Sequence, residues 1–331
     1  MFIKTFFKLF PPPAYINIPY AGLDISDDAI RCIKYSEGRN GYILQCYGTR
    51  ALRPGIVEAG YIKDEKALTT ELISLVKELK ISTVKASLPE ERMYLFKTEV
   101  PRVDDDQIRQ NIEFKLEENV PIPASDAIFF FDRLPDSLNN GKLYASVSVT
   151  PRDLVDSYLK ALQSAGLTVV SFEIQAKAIG RSTVYRDSKD TKLIVNIMNN
   201  KTGLYIVSSG AICFTSTISW GGMLIRGKKI VEINDDITLL KKEIERVCAY
   251  WSQHGSSQTS SSSNNQSIKS IVITGRDAIL VSQVSHLSPD SSIEVCVADI
   301  WQNAFSINHY VPKISFEDSL DYATAAGLAL P

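Results

Sequence analysis

Apolar residues run from Tyr20 up to Asp24, the polar turn Ser26-Asp27-Asp28 follows, and alternation resumes at Ala29, Ile30, Cys32 and Ile33. Alternation broken by short side chains that bond their own backbone predicts a strand, a tight turn and a second strand. The pattern returns at residues 192–207. There Lys192-Leu-Ile-Val-Asn-Ile leads into Met198-Asn-Asn-Lys, and Thr202-Gly-Leu-Tyr-Ile-Val follows. A plain hairpin with a solvated acidic tip accounts for either copy alone. A carboxylate such as Asp24, at the end of a buried strand beside a turn of backbone N–H groups, is also how phosphate-binding folds begin. Two copies half a chain apart, each opening a run of β and α signals, point to two related α/β halves that face each other.

The other periodicities fill in those halves. Residues 42–52, 83–88 and 93–100 read as strands, and residues 64–79 as a helix with Leu68, Leu72, Leu75 and Leu79 on its apolar side. Residues 100–123 form a helix bounded by Pro101 and Pro121. Asp104 or Asp105 caps it, Ile108, Ile112 and Leu116 make one stripe, and Phe114 flanks the stripe. Residues 126–133 and 143–150 read as a hairpin around the polar loop 135–142, and residues 151–165 as a second helix. Residues 100–167 are therefore expected to form a helix–hairpin–helix insert. In the second half a helix covers 236–251, with Ile237, Leu240, Ile244, Val247 and Trp251 on one face. A strand at 270–274, a helix at 277–286 and a strand at 293–297 follow. The Ser/Asn/Gln-rich stretch 255–267 reads as a flexible, solvated loop.

Composition narrows the classes. A length of 331 residues suits two full cores, and 44% hydrophobic residues with a net charge of −2 gives no bulk affinity for nucleic acid. The scattered cysteines Cys32, Cys46, Cys213, Cys248 and Cys296 form no paired motif, and the three histidines lack metal-ligand spacing. Buried thiols in a reducing compartment are expected, with no metal site. No apolar run reaches the length of a membrane span. Residues 1–13 place Phe2, Phe6 and Phe10 at helical spacing, with Lys4 and Lys8 on another edge, before Pro11-Pro12-Pro13. This amphipathic segment suits a membrane interface or a partner surface and equally suits packing on its own domain. A membrane contact is assigned to Phe2, Lys4, Phe6 and Lys8.

Strand, strand, strand, helix, strand is the opening order of an actin-like half, and the paired hairpins resemble the superfamily of actin, the chaperone ATPases and the sugar kinases. Narrower marks follow. Val100-Pro, then Asn111-Ile-Glu-Phe and Glu117-Glu-Asn-Val-Pro-Ile-Pro123, resemble the PilM family, the actin-like cytoplasmic components of type IV pilus and type II secretion assemblies, kin to the division protein FtsA. Leu162-Gln-Ser-Ala-Gly, Ser219-Trp-Gly-Gly222, Thr274-Gly-Arg276 and the closing Asp321-Tyr-Ala-Thr-Ala-Ala-Gly-Leu-Ala329 match in the same order. The resemblance covers nearly everything from residue 20 to residue 330. It implies an α/β, actin-like two-domain fold with RNase H-like halves and an insert of the FtsA/PilM type in the first half. It also implies an N-terminal segment and Pro linker at 1–19, a first subdomain at 20–99 plus 315–331, the insert at 100–167, and a second half at 168–314.

The same resemblance implies a nucleotide cleft at Asp24, Ser26, Asn196, Thr202 and Gly275, and this sequence departs from the family there. Ser26 stands where the family has glycine, Asp27 and Asp28 follow, Asn196 replaces an acid and Met198 a glycine, and Arg276 replaces a second glycine. A carboxylate about 6 Å from a phosphate charge opposes it by roughly 3 kcal/mol at an effective dielectric near 20. The nucleotide-covering Ala-Glu…Lys segment is absent from the sequence after Gly222, so that subdomain is reduced. The expectation is a degenerate cleft that binds ATP and magnesium weakly or not at all and does not hydrolyse ATP, hence no enzyme. An adaptor of the pilus platform at the inner face of the cytoplasmic membrane is implied instead. It would bind the N-terminal tail of a PilN-like membrane protein, and other assembly components, in a groove beside the insert. Phe114, Leu116, Glu117, Glu118, Val120, Pro121 and Ile122 are the residues assigned to that groove. The rivals are a nucleotide-regulated ATPase of the same fold, which needs two glycine phosphate turns, and an FtsA-like filament, which wants a C-terminal amphipathic helix.

Overall fold

Strand β1 (Ala21–Ile25) is fully buried, and its partner β2 (Ala29–Gly38) returns antiparallel across the Ser26–Asp28 turn with Asp24 opposite Arg31. The computed structural model describes residues 19–39, 41–134, 143–228, 233, 236–258, 267–283 and 287–331. Phe2, Lys4, Phe6 and Lys8, the 135–142 loop and most of the 255–267 stretch lie outside the described residues. From β2 the chain continues into β3 (Gly41–Ala51), a small β4/β5 hairpin (Val57–Glu58, Tyr61–Ile62) and helix α1 (Glu65–Leu79). Asp64 caps α1 by accepting from the Ala67 N–H at 2.9 Å.

Strand β6 (Thr83–Leu88) lies parallel to β1, and β10 (Thr168–Ile174) lies parallel to β6, giving the sheet order β10-β6-β1-β2-β3. The second half repeats that plan. Strands β11 (Thr191–Ile197), β12 (Thr202–Ser208) and β13 (Ala211–Ile218) are antiparallel neighbours, while β14 (Ile268–Thr274) and β15 (Glu294–Val297) add in parallel as β13-β12-β11-β14-β15. Two sheets of one topology, each opened by a hairpin, are the two halves of an actin-like fold. Among the described residues no helix is long and apolar enough to cross a membrane.

The insert is smaller than its sequence limits. Strand β7 (Tyr94–Val100), assigned by pattern to the first subdomain, pairs with β9 (Leu143–Pro151), which pairs with β8 (Ala127–Arg133), making a three-stranded sheet rather than a hairpin. Helix α2 (Asp105–Asn119), capped by Asp104, lays Ile108, Ile112 and Leu116 on that sheet against Ala145, Val147 and Val149. Helix α3 (Arg152–Ser164), expected in the insert, instead joins the first half. Its Leu154, Tyr158 and Leu162 pack with Leu68, Leu72 and Leu75 of α1. Burial of each such side chain stabilises by roughly 1.5–3 kcal/mol. Strand β10, expected to open the second half, completes the first sheet because β6 presents a free parallel edge.

Helix α4 (Gln175–Thr183) leads from β10 toward the second half; α5 (Thr238–Gln258) buries Leu240, Ile244, Val247 and Trp251 in that half's core, joined by Ile237 just before it. The expected helix at 277–286 is described as helical only over α6 (Ala278–Ser282). The last helix, α7 (Ala323–Ala329), lies between β1 and α4. Its small residues permit the contact: a Cβ on Gly22 would come 2.1 Å from the Ala325 oxygen, and one on Gly327 would come 1.7 Å from the Ala178 oxygen.

Candidate functional site: the cleft between the halves

Ligands of parallel α/β sheets bind beyond the carboxyl ends of the strands. In this fold the ends of β1, β10, β11 and β14 converge on one cavity of about 560 Å³. Asp24, Ser26, Asn196 and Gly275 all line it, so four of the five residues assigned to the cleft from sequence come together. Thr202 does not line it. It is fully buried, and its hydroxyl donates to the Trp220 carbonyl at 2.8 Å, fixing the second hairpin to the Gly221-Gly222 turn. Gly275 has φ +99°, and a Cβ there would sit 1.9 Å from the Ile197 oxygen, so close backbone packing requires glycine.

Asp24 sits at the cavity floor. One carboxylate oxygen accepts from the Ser87 hydroxyl at 2.7 Å and the Gln175 amide at 3.0 Å. Burial pushes its carboxyl above the usual range, and the Ser87 hydrogen bond, Arg31 and the Gln175 amide pull it back. The Gln175 Oε1 atom is buried with no hydrogen-bond partner among the described residues.

The acids of the first turn do not point freely at the cavity. Arg31 contacts Asp28 at 3.4 Å and Asp321 at 3.7 Å, and Arg276 meets the same Asp321 oxygen at 3.3 Å. Arg226 pairs with Asp277 at 2.7 Å and donates to Asn199 at 3.2 Å. Asp27 accepts from Lys201 at 3.1 Å. Arg276 is therefore a half-exposed ion-pair partner, and the repulsion expected from Asp27 and Asp28 is largely compensated inside the protein. Asp24, Asp27, Asp28, Glu58, Asp277 and Asp321 still line the cavity against only Arg31, Arg226 and Arg276. Among the described residues no group of His, Cys, Asp or Glu is arranged to hold a metal ion. Sequence reading passed over Arg31, Gln175, Lys201 and Arg226. Arg31 pairs with Asp28 three residues away, but the partners of Gln175, Lys201 and Arg226 lie 151, 174 and 51 residues away and left no local signal.

The residues assigned to the partner groove divide sharply. Phe114 is 86% exposed and does not flank the buried stripe. Glu117, Glu118 and Pro121 are exposed too, and Ile122 is half-buried. Leu116 and Val120, at 1% and 5% exposure, belong to the insert's own core and are not available to a partner. Their helical phase points them at β9, whereas Phe114, two positions from Leu116, faces solvent. Strand β8 forms an edge of the insert sheet. There Arg109 lies over Phe129 and Phe131, while Phe130 reaches the first-half core.

No curated protein sequence matches the chain. The fold recurs in a solved PilM-PilN type IV pilus biogenesis complex, with 17% identity and a TM-score of 0.76 over 94% of this chain and 98% of that one. The ethanolamine utilization protein EutJ from Carboxydothermus hydrogenoformans is more distant, with 12% identity and a TM-score of 0.49 over 96% and 90% of the two chains. The family model described as type IV pilus assembly protein PilM matches residues 22–245. That span holds the first hairpin, the insert and the second hairpin, and the chain belongs to the PilM family of type IV pilus assembly proteins.

Proposed function

We propose that this protein is a scaffold of the inner-membrane pilus assembly platform, standing at the cytoplasmic face and binding the N-terminal cytoplasmic tail of a PilN-like membrane protein. The observation that carries the reading is its family membership, together with the fold it shares with a PilM-PilN complex. The insert supplies a suitable surface. Phe114 offers an apolar anchor in solvent, Glu117 and Glu118 offer charge for a basic tail residue, and the β8 edge offers main-chain groups for an extended peptide.

ATP turnover is not part of this function. The cavity residues do not fit a magnesium triphosphate. Each of its three arginines is already engaged by an acid, Asp27 is held by Lys201, and the Ser26 N–H is bonded to Ala29 inside its own turn. A polyphosphate would meet like charge and would have to break existing ion pairs. The N-terminal segment, with Phe2, Lys4, Phe6 and Lys8, adds a peripheral membrane contact in this reading.

Titration calorimetry of the purified chain with the N-terminal peptide of the PilN-like protein from the same genome tests the proposal. Saturable binding is expected, unchanged by Mg-ATP and weakened about tenfold or more by Phe114→Ala, since burying a phenylalanine is worth roughly 1.5–3 kcal/mol. Absence of binding with and without Mg-ATP would refute the scaffold role. Micromolar Mg-ATP binding would refute the reading of the cleft.

A further inference from the structure

We propose that Lys201 is a tethered cation that latches the two halves of the protein together. Lys201 ends the β11–β12 turn in the second half, and its main-chain oxygen accepts from the Met198 N–H at 2.9 Å, which fixes the base of the side chain. The ammonium crosses to the first half. It meets Asp27 Oδ2 at 3.1 Å in the β1–β2 turn and forms a short contact with Glu91 Oε1 in the 3-10 turn after β6. The partners lie 174 and 110 residues away in the chain. All three side chains are nearly enclosed, at 13%, 13% and 15% exposure.

The receiving carboxylates are built in. The other oxygen of Asp27 accepts from the Gly60 N–H at 3.1 Å. Gly60 has φ +79°, and a Cβ there would lie 2.7 Å from the Pro89 side chain, so the β4/β5 turn is pressed beneath both acids. Two nearly enclosed carboxylates held on a common cation repel each other when the cation leaves. Burial by itself would lower the Lys201 pKa, but Glu91 and Asp27 more than reverse that and raise it, so the cation is kept at neutral pH. The contact joins the two hairpin turns directly. The contact is made entirely by the protein's own side chains, which goes beyond the scaffold role and does not depend on which partner binds.

The latch makes a specific prediction for the full chain. Lys201→Met should accelerate amide exchange in both turns, residues 26–28 and 198–201, by roughly tenfold or more through local opening. It should also lower Tm by several degrees. Lys201→Arg should retain slow exchange. In Lys201→Met the paired carboxylates are left without their cation, so millimolar Mg²⁺ or Ca²⁺ should raise Tm, an effect absent from the native protein. Asp27→Asn on top of Lys201→Met should add little further exchange and should remove the cation response. Unchanged exchange in Lys201→Met would overturn the latch, as would additive effects of the two substitutions. If Lys201→Met does not fold, Glu91→Gln serves the same comparison: faster exchange in the 198–201 turn supports the latch, and none overturns it. Peptide binding plays no part in these readouts, so failure of the scaffold proposal and failure of the latch are distinguishable.

Discussion

Glu90 lies in the turn between β6 and β7 and is buried where the two halves and the insert meet. Its Oε2 accepts from the Ala176 N–H in the first turn of α4 at 3.0 Å, and its Oε1 has no partner among the described residues. Burial raises its pKa from the ordinary 4.5 to about 7, against the pull of the Ala176 N–H and the Thr215 hydroxyl. Glu91 adds repulsion. The fold therefore favours the protonated carboxyl. Below pH 4.5 both folded and unfolded chains carry the proton, and Glu90 imposes no ionisation penalty. Between pH 4.5 and 7 the unfolded chain gives it up first, so stability falls as pH rises, and above about 7 the loss is complete. At about 1.4 kcal/mol for each tenfold change in acidity, the loss is about 3 kcal/mol. Glu90→Gln keeps the shape and an acceptor for Ala176 without a charge. Urea unfolding followed by tryptophan fluorescence at pH 5, 6, 7 and 8 compares the two proteins. The variant should gain on the native chain steadily from pH 5 to pH 7 and hold an advantage of up to about 3 kcal/mol at pH 8. Parallel stability curves across that range would refute the argument, because titrations elsewhere cancel in the difference.

Two further tests separate packing from binding. Gly327→Ala places a methyl 1.7 Å from the Ala178 oxygen, so α7 and α4 must move apart, at a cost of about 1–3 kcal/mol read as a lower urea midpoint with the slope unchanged. Val120→Asp puts a charge into the insert core and should destabilise the fold by about 3 kcal/mol or more, whereas Phe114→Ser should leave the midpoint within about 0.5 kcal/mol and weaken only tail binding.

The amino-acid sequence alone determined the elements and their kind. The strand–turn–strand signals at β1/β2 and β11/β12 and the stripe from Ile237 to Trp251 are local; the stripe maps directly onto burial, whereas β1 and β12 are buried along their whole length. The family resemblance carried by the sequence also brought Asp24, Ser26, Asn196 and Gly275 into one expectation, and all four line the cavity. The tertiary structure decided what packs against what. The stripe of α3 states that one face is buried but not whether α1 or the insert receives it. The alternation of β10 does not say which sheet edge is open to it. Two positions along α2 separate a core Leu116 from the exposed Phe114, a phase that periodicity resolves poorly near a helix end. Asp27 and Asp28 read as repulsive acids until Lys201 and Arg31 are placed beside them. Charge interactions fall off over a few ångströms of space and carry no memory of sequence separation, so a partner 174 residues away is invisible until the chain is folded.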